Sequence, residues 1–198
     1  MRTESPPLAP FLRSQTQARL LAELLLRPGQ SRSVTELARI AGAPQSVISK
    51  EVARLVKAHV LTSQQVGRTR LIRANTEYRL ADPLTQILAA TFGPEPVMAR
   101  LLANIGEIDQ AFIFGSWAAR FTGTPGRPPG DVDVLVVGNA DRAALNETAA
   151  RAERELGLPV QIKRVSCAAW EAASEPFVQT VKEGPLVPLD LPKPEGAQ

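Results

Sequence analysis

The stretch FIFGSWAARFTGTPGRPPGDVDVLVV, residues 112–137, constrains this chain more than any other. It reads as an apolar strand over 111–114, then Gly115-Ser116 at the mouth of a short helix over 117–120. A Gly/Pro-rich loop over 122–130 and a second strand over 132–137 follow. Side chains two apart on a strand point to one face, so Asp131 and Asp133 aim together at whatever Gly115-Ser116 presents. A Gly-Ser at a helix start offers backbone N–H groups and a hydroxyl, which suit a phosphate. Adjacent carboxylates suit Mg2+, a hard cation that takes oxygen ligands and shares them with substrate phosphates. The combination predicts a site for a metal and a triphosphate, of the kind used in nucleotidyl transfer.

On these residues, across about 108–165, the chain resembles the minimal nucleotidyltransferase fold of the DNA polymerase β type. The resemblance implies that Gly115 and Ser116 hold the triphosphate of an NTP. It also implies that Asp131 and Asp133 hold Mg2+ and are the catalytic residues if the site is active. Arg120 and Lys163 are further candidates for nucleotide binding. Active members generally take a third carboxylate from the strand after the long helix. That strand here, residues 160–165, reads VQIKRV; the matching position is Gln161, with Lys163 on the same face. An amide takes no proton at neutral pH and is a weaker metal ligand than a carboxylate. A lysine repels Mg2+ but attracts phosphate. Losing a general base costs about two to four orders of magnitude in rate, so the pattern favours nucleotide and Mg2+ binding over turnover.

Net charge divides the chain in two. Residues 1–80 hold 13 Lys+Arg and 5 Asp+Glu; residues 81–198 hold 10 and 15. The halves are therefore +8 and −5, and the basic one is the candidate for a polyanion. Its periodicity predicts a helix from Ser14 with Ala18, Leu21, Ala22, Leu24 and Leu25 on the apolar face, stopped by Pro28-Gly29. Ser33 and Glu36 form a capping box for a second helix that Gly42 closes. Pro44 stands at the start of a third helix with Val47, Ile48, Val52, Leu55 and Val56 facing inward. After His59, a helix-end residue, a β-hairpin is expected: 61–66, a turn at Gly67-Arg68, and 69–74.

Three helices and a hairpin over 14–78 resemble the winged helix-turn-helix of ArsR-type regulators. The residues agree with it. Gln45, Ser46, Ser49, Lys50 and Arg54 lie on the polar side of the third helix, where the first four can reach base edges in a major groove. Arg68 and Arg70 at the hairpin tip can clasp phosphate or enter a minor groove.

The expected fold class is α/β (α+β): a winged helix-turn-helix domain followed by a small mixed-sheet, nucleotidyltransferase-like domain. The divisions are a flexible N-terminus over 1–12, the DNA-binding domain over 13–80, a linker or dimerisation helix over 81–93, the second domain over 94–185 and a tail over 186–198. Asp82 is expected to cap the helix over 84–91, and a further helix is expected over 96–105. A long helix over 141–156 leads to the third strand, and short helices over 168–173 and 176–183 close the domain. Cys167, the single cysteine, excludes an internal disulfide and reads as a buried thiol. No apolar run approaches a membrane span and the N-terminus lacks a signal-peptide core, so a cytoplasmic protein is expected.

The functional expectation is a transcription regulator that binds double-stranded DNA, as a homodimer by its resemblance, with a second domain that binds nucleotide and Mg2+ or a protein partner with weak or no catalysis. The alternative is an active Mg2+-dependent nucleotidyltransferase that modifies a protein, an RNA or a small molecule, such as a toxin–antitoxin component.

Overall fold

Ser14 accepts a hydrogen bond from the Gln17 N–H at 3.1 Å and starts helix α1, Gln15–Leu25. The computed structural model describes residues 12–124, 126 and 129–191. The flexible segment expected over 1–12 lies outside them except for Leu12, which packs against the first core. Pro125, Arg127 and Pro128 of the Gly/Pro loop, and the tail beyond 191, also lie outside. Contacts divide the chain into two units, Met1–Gly93 and Pro94–Gln198.

In the first unit, β1 (Arg32–Ser33) leads into α2 (Val34–Ala41) through the expected capping box. Ser33 Oγ accepts from the Glu36 N–H, and Glu36 accepts from the Ser33 N–H. Such a cap contributes about 1 kcal/mol. Gly42 ends the helix in the left-handed region, φ 64°, at no side-chain cost. Helix α3, Gln45–Lys57, follows, and then β2 (Leu61–Val66) and β3 (Thr69–Ala74) form the hairpin. The sheet order is β1-β3-β2, all antiparallel. Leu20, Leu24, Leu37, Ile48, Val52, Leu61 and Ile72 fill its core. The unit is a winged helix-turn-helix.

Two expectations in this unit need correction. Val47 does not face inward: it is 46% exposed. Each residue turns the helix by about 100°, so seating Ile48, Val52 and Leu55 in the core swings Val47 out. Asp82 does not cap α4, Ala81–Phe92; Leu80 is the cap residue and makes no side-chain bond. A turn closed by Ala81 N–H to Tyr78 O starts the helix early and leaves Asp82 inside its first turn. In the segment expected as a linker or dimerisation helix, Leu88 is buried in the first core, Leu84 packs against it and Ile87 is exposed.

The second unit begins with α5, Pro94–Leu102, two residues before the expected start. Proline needs no N–H partner in a first turn, which permits this. Then come β4 (Ile108–Phe114), α6 (Gly115–Phe121), β5 (Val132–Gly138), α7 (Arg142–Leu156) and β6 (Val160–Val165). Helices α8 (Cys167–Ala172) and α9 (Pro176–Glu183) follow. The segment expected as a tail contributes β7, Val187–Pro188, paired with β4, and buries Val187 and Leu189. Pro188 can sit there because β7 is an edge strand, where one missing donor is tolerated.

The sheet order is β6-β5-β4-β7; β5 and β6 are parallel, and the other pairs antiparallel. Val132, Val134 and Val136 face the core that also holds Val97, Met98, Leu101, Leu102 and Leu145 of α5 and α7. The alternate residues, Leu135 and Val137, face the side where Trp170 and Phe177 of α8 and α9 pack. Asp133 belongs to that second face by the strand's period of two.

Candidate functional site

Strand register brings the second unit's site together. Phe114 pairs with Asp133 across the antiparallel β4–β5 ladder, so Gly115 follows beside that aspartate. Gly115 has φ +72°, and a Cβ added there would stand 2.8 Å from Asp133 Oδ2. Only glycine allows both the backbone turn and this approach. Asp131 lies two residues before Asp133, just ahead of β5. Helix α6 starts at Gly115 rather than at Trp117, with no side-chain cap, so its first N–H groups are uncommitted by a cap. Ser116 is exposed beside them.

Across the parallel side, Asp133 pairs with Gln161, and Lys163 lies two residues on along β6. Lys163 Nζ stands 4.4 Å from the centroid of the Phe177 ring. That ring packs edge-on against Phe114, with centroids 5.8 Å apart. Burial pushes the Asp133 carboxyl above its ordinary pKa; Asp131 adds to this and Lys163 opposes it. Two like charges with one partly desolvated form a place where a divalent cation relieves repulsion. Asp131 and Asp133 are the oxygen donors that would hold a hard cation such as Mg2+ here. Among the described residues, no group of three or more His, Cys, Asp or Glu is placed to hold a metal. The Arg120 guanidinium donates to Thr124 O at 3.1 Å and ties the end of α6 to the following loop.

Two cavities lie elsewhere in this unit. One of about 320 Å3 is lined by Arg142, Leu145, Asn146, Ile162 and Arg164. Another of about 520 Å3 includes Glu107, Asp109, Gly138, Asn139 and Cys167, toward the far end of β5. Neither is lined by Asp131 or Asp133, which are both half-buried. Cys167 is not the buried thiol expected: it is partly exposed, and its Sγ–H donates to Asp109 Oδ2 at 3.0 Å. That hydrogen bond, and then burial, raise the thiol's pKa.

In the first unit, Ser46, Ser49 and Lys50 are exposed on α3. Gln45 is exposed too, but its Nε2 donates to Thr35 Oγ1 at 3.2 Å, which ties α3 to α2. Arg54 is paired with Glu51, which raises its pKa through their hydrogen bond. No side chain caps the start of α3 and its first turn holds no acidic residue, so the helix end is open to a phosphate. On the hairpin, Arg68 and Arg70 are exposed, and Arg70 donates to Ser63 Oγ at 3.1 Å. Arg73, which the sequence reading passed over, donates to Thr62 Oγ1 at 3.2 Å. It pairs with Thr62 in register and lies on the opposite strand face from Arg70. Odd-even alternation along TRLIRA carried that signal.

No family model matches the chain, and no curated protein matches it. Among solved structures it is similar to the adhesin competence repressor AdcR from Streptococcus pyogenes: 22% identity over 39% of this chain and 55% of that one, TM-score 0.32. The chain thus spans about half the length of AdcR. It is also similar to TrmBL2, an archaeal chromatin protein, with 15% identity over 89% of this chain and 75% of that one, TM-score 0.31. Among the described residues, no helix is long and apolar enough to cross a membrane.

Proposed function

We propose that the chain is a DNA-binding transcription regulator whose second unit binds a nucleotide with Mg2+, or a partner protein, with weak or no catalysis. The carrying observation is the pairing of Asp133 with Gln161, in a chain whose other unit is a basic winged helix. Gly115 and the open start of α6 support phosphate binding, and Asp131 with Asp133 support Mg2+. Lys163, held against Phe177 on the same face as Gln161, supplies positive charge for a phosphate. Mg2+ would supply charge neutralisation for the phosphate oxygens when bound. The amide of Gln161, opposite Asp133, takes no proton from an attacking hydroxyl. The polar face of α3 and the arginines of the hairpin support duplex DNA as the ligand of the first unit.

The test is calorimetry with each NTP in the presence of Mg2+, alongside an electrophoretic shift with duplex DNA at several salt concentrations. Saturable nucleotide binding lost in Asp131→Ala with Asp133→Ala, and salt-dependent DNA binding, are the expected results. Weak, equal affinity for every DNA tested would remove the regulator reading. A second reading, an active nucleotidyltransferase, is favoured by the approach of Gly115 to Asp133. Transfer of labelled nucleotide to a lysate component, abolished in the double aspartate variant, would establish it.

A further inference from the structure

We propose that Val47 reads the C5 methyl group of a thymine in the major groove, an inference that rests on the DNA-binding reading above. Val47 is 46% exposed although it sits next to fully buried Ile48. At 100° per residue it falls in one row with Lys50 and Arg54, three and seven positions on. That row borders the polar face formed by Ser46, Ser49 and Lys50, all exposed. A lone exposed valine is ordinary on a protein surface. Its setting here is not: it stands in the first turn of a helix with no side-chain cap and no acidic residue in that turn, which turns this end toward a polyanion. The neighbouring amide of Gln45 is already engaged with Thr35. Val47 is thus the apolar group among the leading residues of α3.

The chemistry limits what such a group can recognise. Among the four bases, thymine alone presents a methyl group in the major groove, and apolar side chains contact it. Valine offers two methyl groups and no donor or acceptor, so it gains nothing from the polar edge of cytosine, adenine or guanine. Covering one methyl group changes affinity about fourfold. Ser46, Ser49 and Lys50 supply polar contacts around it, so Val47 selects at one position rather than binding the duplex by itself.

Duplexes enriched by the full chain from a random-sequence pool provide the probe. Each thymine is replaced in turn by deoxyuridine, which lacks only the methyl group, and affinity is read by fluorescence anisotropy. The expected result is a loss of about fourfold at one thymine or a few for the wild-type chain. Val47→Ala should show a smaller uracil penalty at those positions, because its single methyl group covers less of the thymine methyl. Its circular dichroism melt should match the wild type, because the side chain lies outside the core. A uracil penalty undiminished in Val47→Ala, or no penalty at any thymine, overturns the assignment and leaves the DNA-binding reading intact. A pool that yields no enriched sequence overturns both.

Discussion

Gln161 lies opposite Asp133 in the parallel pairing of β5 and β6. Adjacent strands stand about 4.8 Å apart, so the amide occupies the neighbouring position on the face of the aspartate. Gln161→Glu places a third carboxylate there. In metal-free buffer the variant should unfold at lower urea than the wild type, because three like charges share one face. Millimolar Mg2+ should reverse the order. If the site has access to an acceptor, label transfer should also rise by about two orders of magnitude, the lower end of what a positioned base contributes. Equal urea midpoints with and without Mg2+ would place the amide away from the metal.

Gly115→Ala tests the close approach directly. The left-handed backbone costs a non-glycine residue roughly 1–2 kcal/mol, and the new Cβ would press on Asp133 Oδ2, 2.8 Å away. A stability loss of about that size is expected in urea, together with loss of nucleotide binding as Asp133 is displaced. Normal nucleotide affinity in a folded variant would separate Gly115 from the site.

Asp133 sets a pH dependence whose sign follows from its raised pKa. Between the unfolded value, about 4, and the higher folded one, the folded chain binds more protons than the unfolded chain. The charged carboxylate therefore opposes folding above the folded pKa, and that cost fades as pH falls toward 4. Asp133→Asn should have a higher urea midpoint than wild type at pH 7.5, with the gap narrowing toward pH 4. Adding Mg2+ at pH 7.5 should close the gap by stabilising only the wild type.

Local chemistry announced much of this fold. Ser33 and Glu36 cap a helix by contacts three residues apart, so the pair is readable along the chain, and so is the turn at Gly67-Arg68. The same holds for Gly115 and Asp131-x-Asp133, whose residue types admit few uses together. What escaped depends on packing. Val47 fits an apolar period until Ile48 and Val52 fix the rotation of α3. Segment 187–188 is too short to show a strand pattern, and its pairing with Phe112 and Ile113 exists only in the folded chain. Cys167 meets Asp109 from far along the sequence for the same reason.

Glu23, 7% exposed on α1, binds Arg27 on its own helix and Arg32 Nε at 2.9 Å on β1. The arrangement pins the start of the three-stranded sheet to the first helix. Breaking a buried pair by removing one partner costs about 3–5 kcal/mol. Arg27 and Arg32 retain some solvent, so Glu23→Gln should cost about 2 kcal/mol. Urea denaturation checks this; a change below about 0.5 kcal/mol would make the cluster a surface feature.

Arg68 and Arg54 should differ in how they change the salt dependence of DNA binding. Arg68 sits at the hairpin turn and, among the described residues, makes no hydrogen bond or ion pair within the chain. Its whole charge is available to a phosphate, and each neutralised phosphate contributes about 0.9 to the slope of log K against log salt. Arg68→Ala should reduce that slope by about this amount on every duplex, whatever its sequence. Arg54 is held by Glu51, so its charge is partly cancelled before DNA arrives, and Arg54→Ala should change the slope by less than half as much. Titrations between about 50 and 200 mM salt separate the two. Slopes that fall equally in both variants would show that Glu51 releases Arg54 to the duplex, and an unchanged slope in Arg68→Ala would take the hairpin tip off the DNA.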